Sequence, residues 1–522
     1  MIGSTSSSPK DDLELYKHSV LKISAEGHEY SYSYPWQGPQ SSAWGGSGFV
    51  VNFEGKPYII TNAHVSADAS QLEVRIASDD TKYLAKVVNI DHDCDLAMLQ
   101  VEDESFWEKV KPLELGGMPG LQDKLKVVGF PMGGNEMCIT KGMVSRSEVG
   151  SYCHSGVELL HTQVTAEINP GNSGGPAIFE NKVLGVAFQG IMFGDGLGYI
   201  IPAPVLRHFI ADTVQSDLYK GFPNLEFTYQ KMENKYIRDE YGLNEGESGI
   251  RVKSVDRLSS CHDLIKPDDI LLAIDGKKIQ NDGNVETSFS NRIKFIHLIR
   301  DKSIGDSIEL DILRKGERLS VTIPLLDRSS TTKLAQKEWD KAPTYYVHSG
   351  IAFAPVTHYA SNHARYRAKS KKQPGDEKVM IHTIFASEHT RGLDKRQERE
   401  IIKSINGKKV RNLREVIAAL EAHDGERHKI ETKQGSVFVF KRISPEENAK
   451  ILSAQRIAQD RSDDLLVEPS YKPGCPEYRQ FTPGFKSLLA SNRADQSEVL
   501  SVSSSLLSGQ DEKTSLKRAT MR

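Results

Sequence analysis

From Trp44 to about residue 190 the chain is a succession of short apolar runs, each broken within a few residues by Gly, Asn or Asp. Gly48-Phe49-Val50-Val51, Pro57-Tyr58-Ile59-Ile60-Thr61, Leu84-Ala85-Lys86-Val87-Val88, Leu125-Lys126-Val127-Val128-Gly129-Phe130 and Lys182-Val183-Leu184-Gly185-Val186-Ala187 are examples. Such spacing predicts antiparallel sheets closed as barrels or sandwiches. Residues 204–215, with Val205, Leu206, Phe209 and Ile210 on one stripe, read as the helix that closes this region.

Inside it, Asn169-Pro170-Gly171-Asn172-Ser173-Gly174-Gly175-Pro176 presents a lone serine among glycines directly after a β-prone run. The glycines permit a sharp turn that aims consecutive N–H groups at one point, as an oxyanion hole requires, although the same residues also suit a plain turn. Two partners stand upstream. Tyr58-Ile59-Ile60-Thr61-Asn62-Ala63-His64-Val65 puts a histidine just past an apolar strand, and Asp91-His92-Asp93-Cys94-Asp95-Leu96-Ala97-Met98-Leu99 puts a carboxylate at the mouth of another. Singly, each reads as an ordinary packed or turn residue. The order His64, Asp95, Ser173, all at strand ends, is that of base, orienter and nucleophile in chymotrypsin-type enzymes. A zinc site in the 91–95 cluster is disfavoured, because alternate strand residues face opposite ways and no second ligand cluster accompanies it, so neither metal nor cofactor is expected.

Through Thr61-Asn62-Ala63-His64-Val65, Asp95-Leu96-Ala97-Met98-Leu99 and Gly171-Asn172-Ser173-Gly174-Gly175-Pro176 the sequence resembles the HtrA/Deg serine proteases. The resemblance implies a mainly β fold with α/β modules, a chymotrypsin-like double β-barrel followed by two PDZ-like domains. It also implies an ATP-independent endopeptidase that cleaves unfolded or damaged proteins through a covalent acyl-enzyme. Catalysis is expected from His64, Asp95 and Ser173, and the oxyanion hole from Gly171, Asn172 and Ser173, with the Gly171 and Ser173 N–H groups as donors. Glu167, Ile168, Asn169, Phe188, Gln189 and Gly190 are expected around the substrate pocket. Glu167 stands six before the serine, where the family commonly has a small residue, so it either favours a basic or polar P1 residue or faces solvent or lines loop L1. The glycine-rich stretch beginning at Phe188 matches a loop that shapes the pocket and can switch between active and inactive arrangements. A homo-oligomer, a trimer or a multiple of trimers, is implied as well. The rival reading is a proteolytically weak chaperone or PDZ scaffold.

Downstream the chain repeats itself. Asp269-Ile270-Leu271-Leu272-Ala273-Ile274-Asp275-Gly276-Lys277-Lys278-Ile279 recurs 131 residues later as Glu400-Ile401-Ile402-Lys403-Ser404-Ile405-Asn406-Gly407-Lys408-Lys409-Val410. An apolar strand with an Asp-Gly or Asn-Gly turn is a hairpin signal. Helix-like segments at 291–300 and 413–422 follow, then charged hairpins at 308–323 and 428–441. Lys266-Pro267-Asp268-Asp269-Ile270 resembles the PDZ core with Asp268 in place of a glycine, and in the second copy Arg399-Glu400 replaces the usual Gly-Asp. The first module is expected to hold peptide C-termini at the loop containing Phe222, Asn224 and Leu225 and the strand containing Phe227. The second has Gly350-Ile351-Ala352-Phe353-Ala354-Pro355 in the analogous place, where Pro355 removes a backbone donor, and is read as a packing element.

The resulting division is a disordered tail over 1–13, a protease domain over 14–220, PDZ modules over 221–327 and 328–465, and a disordered polar tail over 466–522. With 67 basic and 70 acidic residues the net charge is −3, which excludes a general polyanion binder. The basic run of Arg365, Arg367, Lys369, Lys371 and Lys372 reads as a solvated insertion, with nucleic acid a minor alternative. Five scattered cysteines without a Cys-x-x-Cys pair, no apolar segment near residues 1–12 and no run of about 18 apolar residues lead to the expectation of a soluble protein, away from membranes, in the cytoplasm or nucleus.

Overall fold

The structure is a computed structural model of the 522-residue chain and describes residues 9–190, 197–215, 220–257, 259–290, 292–326, 339–357 and 376–467. The glycine-rich loop at 191–196, the polar stretch at 327–338, the basic run at 361–372 and the tail from 468 lie outside those residues.

The short runs form thirteen strands: β1 (Val20–Glu29), β2 (Gln40–Phe53), β3 (Lys56–Thr61), β4 (Ala69–Ile76), β5 (Lys82–Asp91), β6 (Leu96–Val101), β7 (Leu113–Leu115), β8 (Lys124–Gly129), β9 (Cys138–Ser151), β10 (Glu158–Val164), β11 (Pro176–Phe179), β12 (Lys182–Gly190) and β13 (Gly198–Pro202). In β1, Leu21, Ile23 and Ala25 are buried while Lys22, Ser24 and Glu26 are not, the period-two signature of a strand with one face on a core. The order β1-β4-β5-β6-β3-β2, closed by β1 on β2, makes one barrel, and β12-β11-β8-β9-β10-β13, closed by β12 on β13, makes the second. β7 pairs in parallel with both β2 and β12 and joins them. The double barrel that the family resemblance implies is therefore present, and the strand spacing, which left barrels or sandwiches open, resolves to barrels.

One boundary differs. Residues 9–13, expected in a disordered tail, belong to helix α1 (Pro9–Ser19). Proline and the acidic pair Asp11-Asp12 suit a helix N-terminus, and Asp12 accepts hydrogen bonds from Lys126 Nζ and Asn181 Nδ2, both at 2.9 Å. Three further helices complete the double barrel: α2 (Ala63–Ser66), α3 (Glu104–Lys109) and α4 (Ala203–Gln215), the last buried along Val205, Leu206, Phe209 and Ile210 as its stripe demands.

The two repeats fold alike. In the first, β14 (Phe227–Lys231), β15 (Ile250–Val255), β16 (Ile270–Ile274), β17 (Lys277–Lys278), β18 (Asn284–Val285), β19 (Ile293–Lys294), β20 (Ser307–Arg314) and β21 (Glu317–Pro324) surround α5 (Lys235–Glu240) and α6 (Ile296–Arg300). The helix expected over 291–300 is thus shorter, because Ile293 and Lys294 pair with β18. The second contains β22 (Tyr346–His348), β23 (Ile351–Pro355), β24 (Val379–Ile384), β25 (Ile402–Ile405), β26 (Lys408–Lys409), β27 (Arg427–Thr432) and β28 (Val437–Lys441), with α7 (Leu413–Glu421) and α8 (Pro445–Ala454).

The hairpin turns of the repeats match in detail. Asp275 and Gly276 have φ of 45° and 72°, and Asn406 and Gly407 have 49° and 78°, so both turns are of the primed kind that continues strand twist. Asp275 exchanges two hydrogen bonds with Glu309, and Asn406 does so with Lys429. Asp268 and Arg399, which replace the usual glycine, nevertheless hold φ of 75° and 70°. The second copy is divergent in residue type and not in backbone.

One core runs from the barrels into the first module: Tyr152, Phe188, Phe209, Phe222, Leu225, Ile250 and Ile299 belong to the same buried cluster. The second module has its own core around Phe353, Ile381, Val416 and Phe438. The β1–β2 connection reaches it through Trp36, whose ring lies 4.8 Å from that of Phe385 and 5.5 Å from that of His382. Beside this core His428 is buried against the partly exposed His348 and His423, and burial, reinforced by repulsion from neighbouring basic groups that include Arg442, pushes its pKa down to about 4. A histidine whose folded pKa lies below its unfolded value stabilises nothing above about pH 6.5 and opposes folding as pH falls from 6.5 to 4. The apparent stability of the second module is expected to drop through that window by on the order of 1 to 3 kcal/mol, and to drop less in His428→Phe, as acid-dependent melting would register.

Candidate active site

α2 exists to place one side chain. Asn62, fully buried, ends β3 and begins the helix, and its Nδ2 donates to the backbone O of Asp95 at 2.8 Å. Asp95 sits at the mouth of β6 with φ of 56°, a left-handed conformation that Asp tolerates better than bulkier residues. Together these bring the two chain segments into register. His64 Nδ1 donates to Asp95 Oδ2 at 2.8 Å and lies 3.0 Å from Oδ1, which also accepts the His64 backbone N–H at 2.9 Å. The Asp95 side chain is 2 % exposed and that of His64 33 %, so a sealed carboxylate faces an imidazole still open to a substrate.

The charges follow from this geometry. Burial pushes the Asp95 carboxyl up, but the His64 charge and hydrogen bonds, with His154 nearby, hold it below the usual carboxylate value. Burial likewise pulls His64 down, and the Asp95 carboxylate outweighs it, leaving the imidazole above its ordinary 6.5.

Ser173 is carried by the 169–176 loop, locked to the first barrel through Ser47. Ser47 N donates to Ser173 O at 2.8 Å, Ser47 Oγ donates to Gly171 O at 2.7 Å, and the same oxygen accepts from Phe130 N at 2.8 Å. Gly174, with φ of 86°, fits against Ser47 O, Thr61 Oγ1 and Asn62 N, where no side chain could stand. The loop therefore abuts the residues that lead into His64. Among the described residues no hydrogen bond joins His64 to Ser173 Oγ, a contact that tightens with substrate in such sites.

Asn172 N donates to Asn169 O at 2.9 Å and is occupied, whereas the Gly171 and Ser173 N–H groups are taken by no backbone acceptor among the described residues. Glu167 is exposed, with its backbone O accepting from Thr140 Oγ1. Ile168 packs beside the second-barrel core, Asn169 is exposed, and Phe188 is buried against Tyr152 at 4.7 Å. Gln189 and Gly190 pair in register with Tyr199 and Gly198. In the first module Phe222 and Leu225 are buried, Phe222 stacking on His208 of α4 at 4.4 Å, so these side chains pack between domains. Asn224 accepts from Arg300 Nη2 at 3.3 Å, and Phe227 lies on β14, which among the described residues pairs with β15 alone. Cys94 is fully buried with its thiol pushed well above 9, and among the described residues no group of three or more His, Cys, Asp or Glu is placed to hold a metal.

Sequence patterns did not single out Ser47 or His154. Ser47 had a signal in its flanking glycines, Gly46 and Gly48, which mark a close approach of backbones. His154, in the β9–β10 turn, reaches the site only through long-range folding and had none.

A family model described as a trypsin-like peptidase domain matches residues 46–186, and one described as a PDZ domain matches residues 334–464, the copy with the divergent core motif. The chain is 36 % identical over 465 residues to the putative protease Do-like 3, mitochondrial, of Arabidopsis thaliana, covering 88 % of this chain and 82 % of that one. It is 37 % identical over 447 residues to protease Do-like 4, mitochondrial, of the same plant, covering 85 % of each. It is 33 % identical over 476 residues to protease Do-like 2, chloroplastic, covering 88 % and 77 %. Among solved structures, the HtrA-type protease AlgW with decapeptide is 22 % identical, with a TM-score of 0.47, covering 62 % of this chain and 99 % of that one. The organelles in the relatives' names overturn the cytoplasmic or nuclear expectation and point to an organelle. That expectation rested on the lack of an apolar signal, and organelle-targeting segments are amphipathic instead. On sequence similarity over most of its length, this chain belongs to the HtrA/Deg, or Do-like, family of serine proteases, with a trypsin-like peptidase domain and a PDZ domain.

Proposed function

We propose that the protease activity is carried by His64, Asp95 and Ser173 and directed at unfolded or damaged protein chains. The observation that carries this reading is the sealed Asp95 carboxylate, which holds both the ring and the backbone of His64 so that Nε2 is left as the base. Ser173 Oγ attacks the scissile carbonyl as its proton passes to His64 Nε2, the oxyanion forms against the Gly171 and Ser173 N–H groups, and His64 returns the proton to the leaving amine. Water then hydrolyses the acyl-serine by the same steps. Losing one oxyanion donor typically removes about 2.7 to 4 kcal/mol of transition-state stabilisation.

The recruitment role divides between the modules. β14 is an edge strand and suits an added peptide strand, whereas β23 is paired on both sides, with β22 in the place an extended peptide would take. This supports peptide binding by the first module and a packing or assembly role for the second, within the trimer-based oligomer that the family resemblance implies. Cleavage of casein by the wild type and by Ser173→Ala tests the reading, and equal activity would overturn it. Since the base must be neutral and its pKa lies above 6.5, kcat/KM is expected to rise with pH through a value above 6.5, measurable with a peptide substrate across pH 5 to 9.

A further inference from the structure

Beside His64 lies a group of aromatic rings that the triad does not require. His92 and His154 come from turns that are themselves tied together: Asp93 N donates to Asp91 Oδ1 at 2.8 Å within the first, and Ser155 Oγ of the second donates to Asp93 O at 2.8 Å. His92 Nδ1 and His154 Nε2 stand 2.9 Å apart, so one ring donates to the other. The His154 ring is 6.1 Å from that of His64. Onto this pair stacks Trp339, 4.1 Å from His154 at 24° and 5.5 Å from His92 at 16°.

Trp339 belongs to the segment that leads into the second module, and Asp340 fastens it. Asp340 Oδ2 meets His92 Nε2 at 3.2 Å, Asp68 N donates to Asp340 Oδ1 at 2.5 Å, and Asp340 N donates to Asp68 Oδ1 at 2.7 Å. Asp68 stands four residues after His64, so the segment is anchored to the chain that carries the base. A peptide advances about 3.3 to 3.6 Å per extended residue, so a side chain within two residues of a bond cleaved at His64 reaches rings 6 Å away. Trp339 and that side chain cannot both be there.

We propose that His92 and His154 form a substrate subsite that takes an aromatic side chain within two residues of the scissile bond, and that Trp339 fills it from within the chain as a competitor of substrate. This rests on the triad reading, and binding can be tested apart from cleavage. In full-length Ser173→Ala/Trp339→Ala protein, calorimetric titration with N-acetyl-tryptophanamide is expected to show saturable binding. That binding is absent in Ser173→Ala alone, where the slot is occupied, and lost when His154→Ala is added. In active protein Trp339→Ala should lower KM about three- to tenfold for peptides with Phe or Trp next to the cleaved bond relative to alanine peptides, the worth of one or two ring stackings. Should Trp339→Ala fold poorly, Trp339→Leu, which keeps an apolar side chain but vacates the volume of the indole and loses its stacking on His154, is expected to shift KM in the same direction. No binding in the double variant, or equal KM gains for aromatic and alanine peptides, overturns the subsite while leaving Ser173-dependent casein cleavage intact. Binding without any Ser173-dependent cleavage upholds the slot and overturns the triad reading.

Discussion

Replacing Ser173 with alanine is expected to reduce kcat by about a millionfold, and Asp95→Asn by about ten-thousandfold, with melting behaviour unchanged in the serine variant. The asymmetry follows from the parts. Without Ser173 Oγ no acyl-enzyme forms, and only the oxyanion donors and substrate binding remain. Asparagine at 95 keeps the shape but turns an NH₂ group or a neutral oxygen toward His64 Nδ1, so the ring is no longer held in the tautomer that leaves Nε2 free. Because the three residues act as one unit, Ser173→Ala combined with Asp95→Asn should be no slower than Ser173→Ala alone. Single-turnover assays on a fluorogenic peptide separate these outcomes, and losses that multiply in the double variant would mean that the residues do not cooperate.

Gly174→Ala is expected to damage fold and site together. Its φ of 86° is unfavourable for any L side chain, by about 1 to 2 kcal/mol, and the new methyl would collide with Ser47 O and Thr61 Oγ1, adding about 1 to 3 kcal/mol. Relief requires the loop to move away from Thr61 and Asn62, carrying Ser173 from His64, and a shift near 1 Å can cost a hundredfold in rate. Gly276→Ala is the control: φ there is 72° but nothing lies within 4 Å of the added methyl. It should lose about 1 kcal/mol and leave kcat/KM unchanged. Urea unfolding monitored beside peptide cleavage distinguishes the two, and a Gly174→Ala enzyme with wild-type activity would contradict the placement of the loop.

What could be read beforehand was what short range determines. His64, Asp95 and Ser173 each sit in a motif of a few residues whose chemistry is local, and the barrel strands announce themselves by period two. The paired turns at Asp275-Gly276 and Asn406-Gly407 were legible for the same reason, as was the helix read over 204–215 and found at Ala203–Gln215. The rest depends on distant partners. Nothing local says that Trp36 will enter the second module or that Trp339 will lie on His154, since both contacts join segments far apart in the chain. The first helix was missed because its polar composition imitates a tail, while it is held by Tyr16, buried in the main core, and by Asp12 meeting Lys126 and Asn181. The divergent second module looked degraded because the usual glycine was absent, yet Arg399 adopts the conformation that glycine would have had.

The shared core between the second barrel and the first module has a mechanical meaning. Phe188, on the strand that runs past the serine loop, and Phe222 and Ile299, in the module, are members of one buried cluster, so a displacement at one end has no soft layer in which to be absorbed. The first module is thus less a tethered arm than an extension of the wall of the protease domain. A peptide strand added at β14, as proposed above, would therefore act on packing that is continuous with Phe188 of the second barrel.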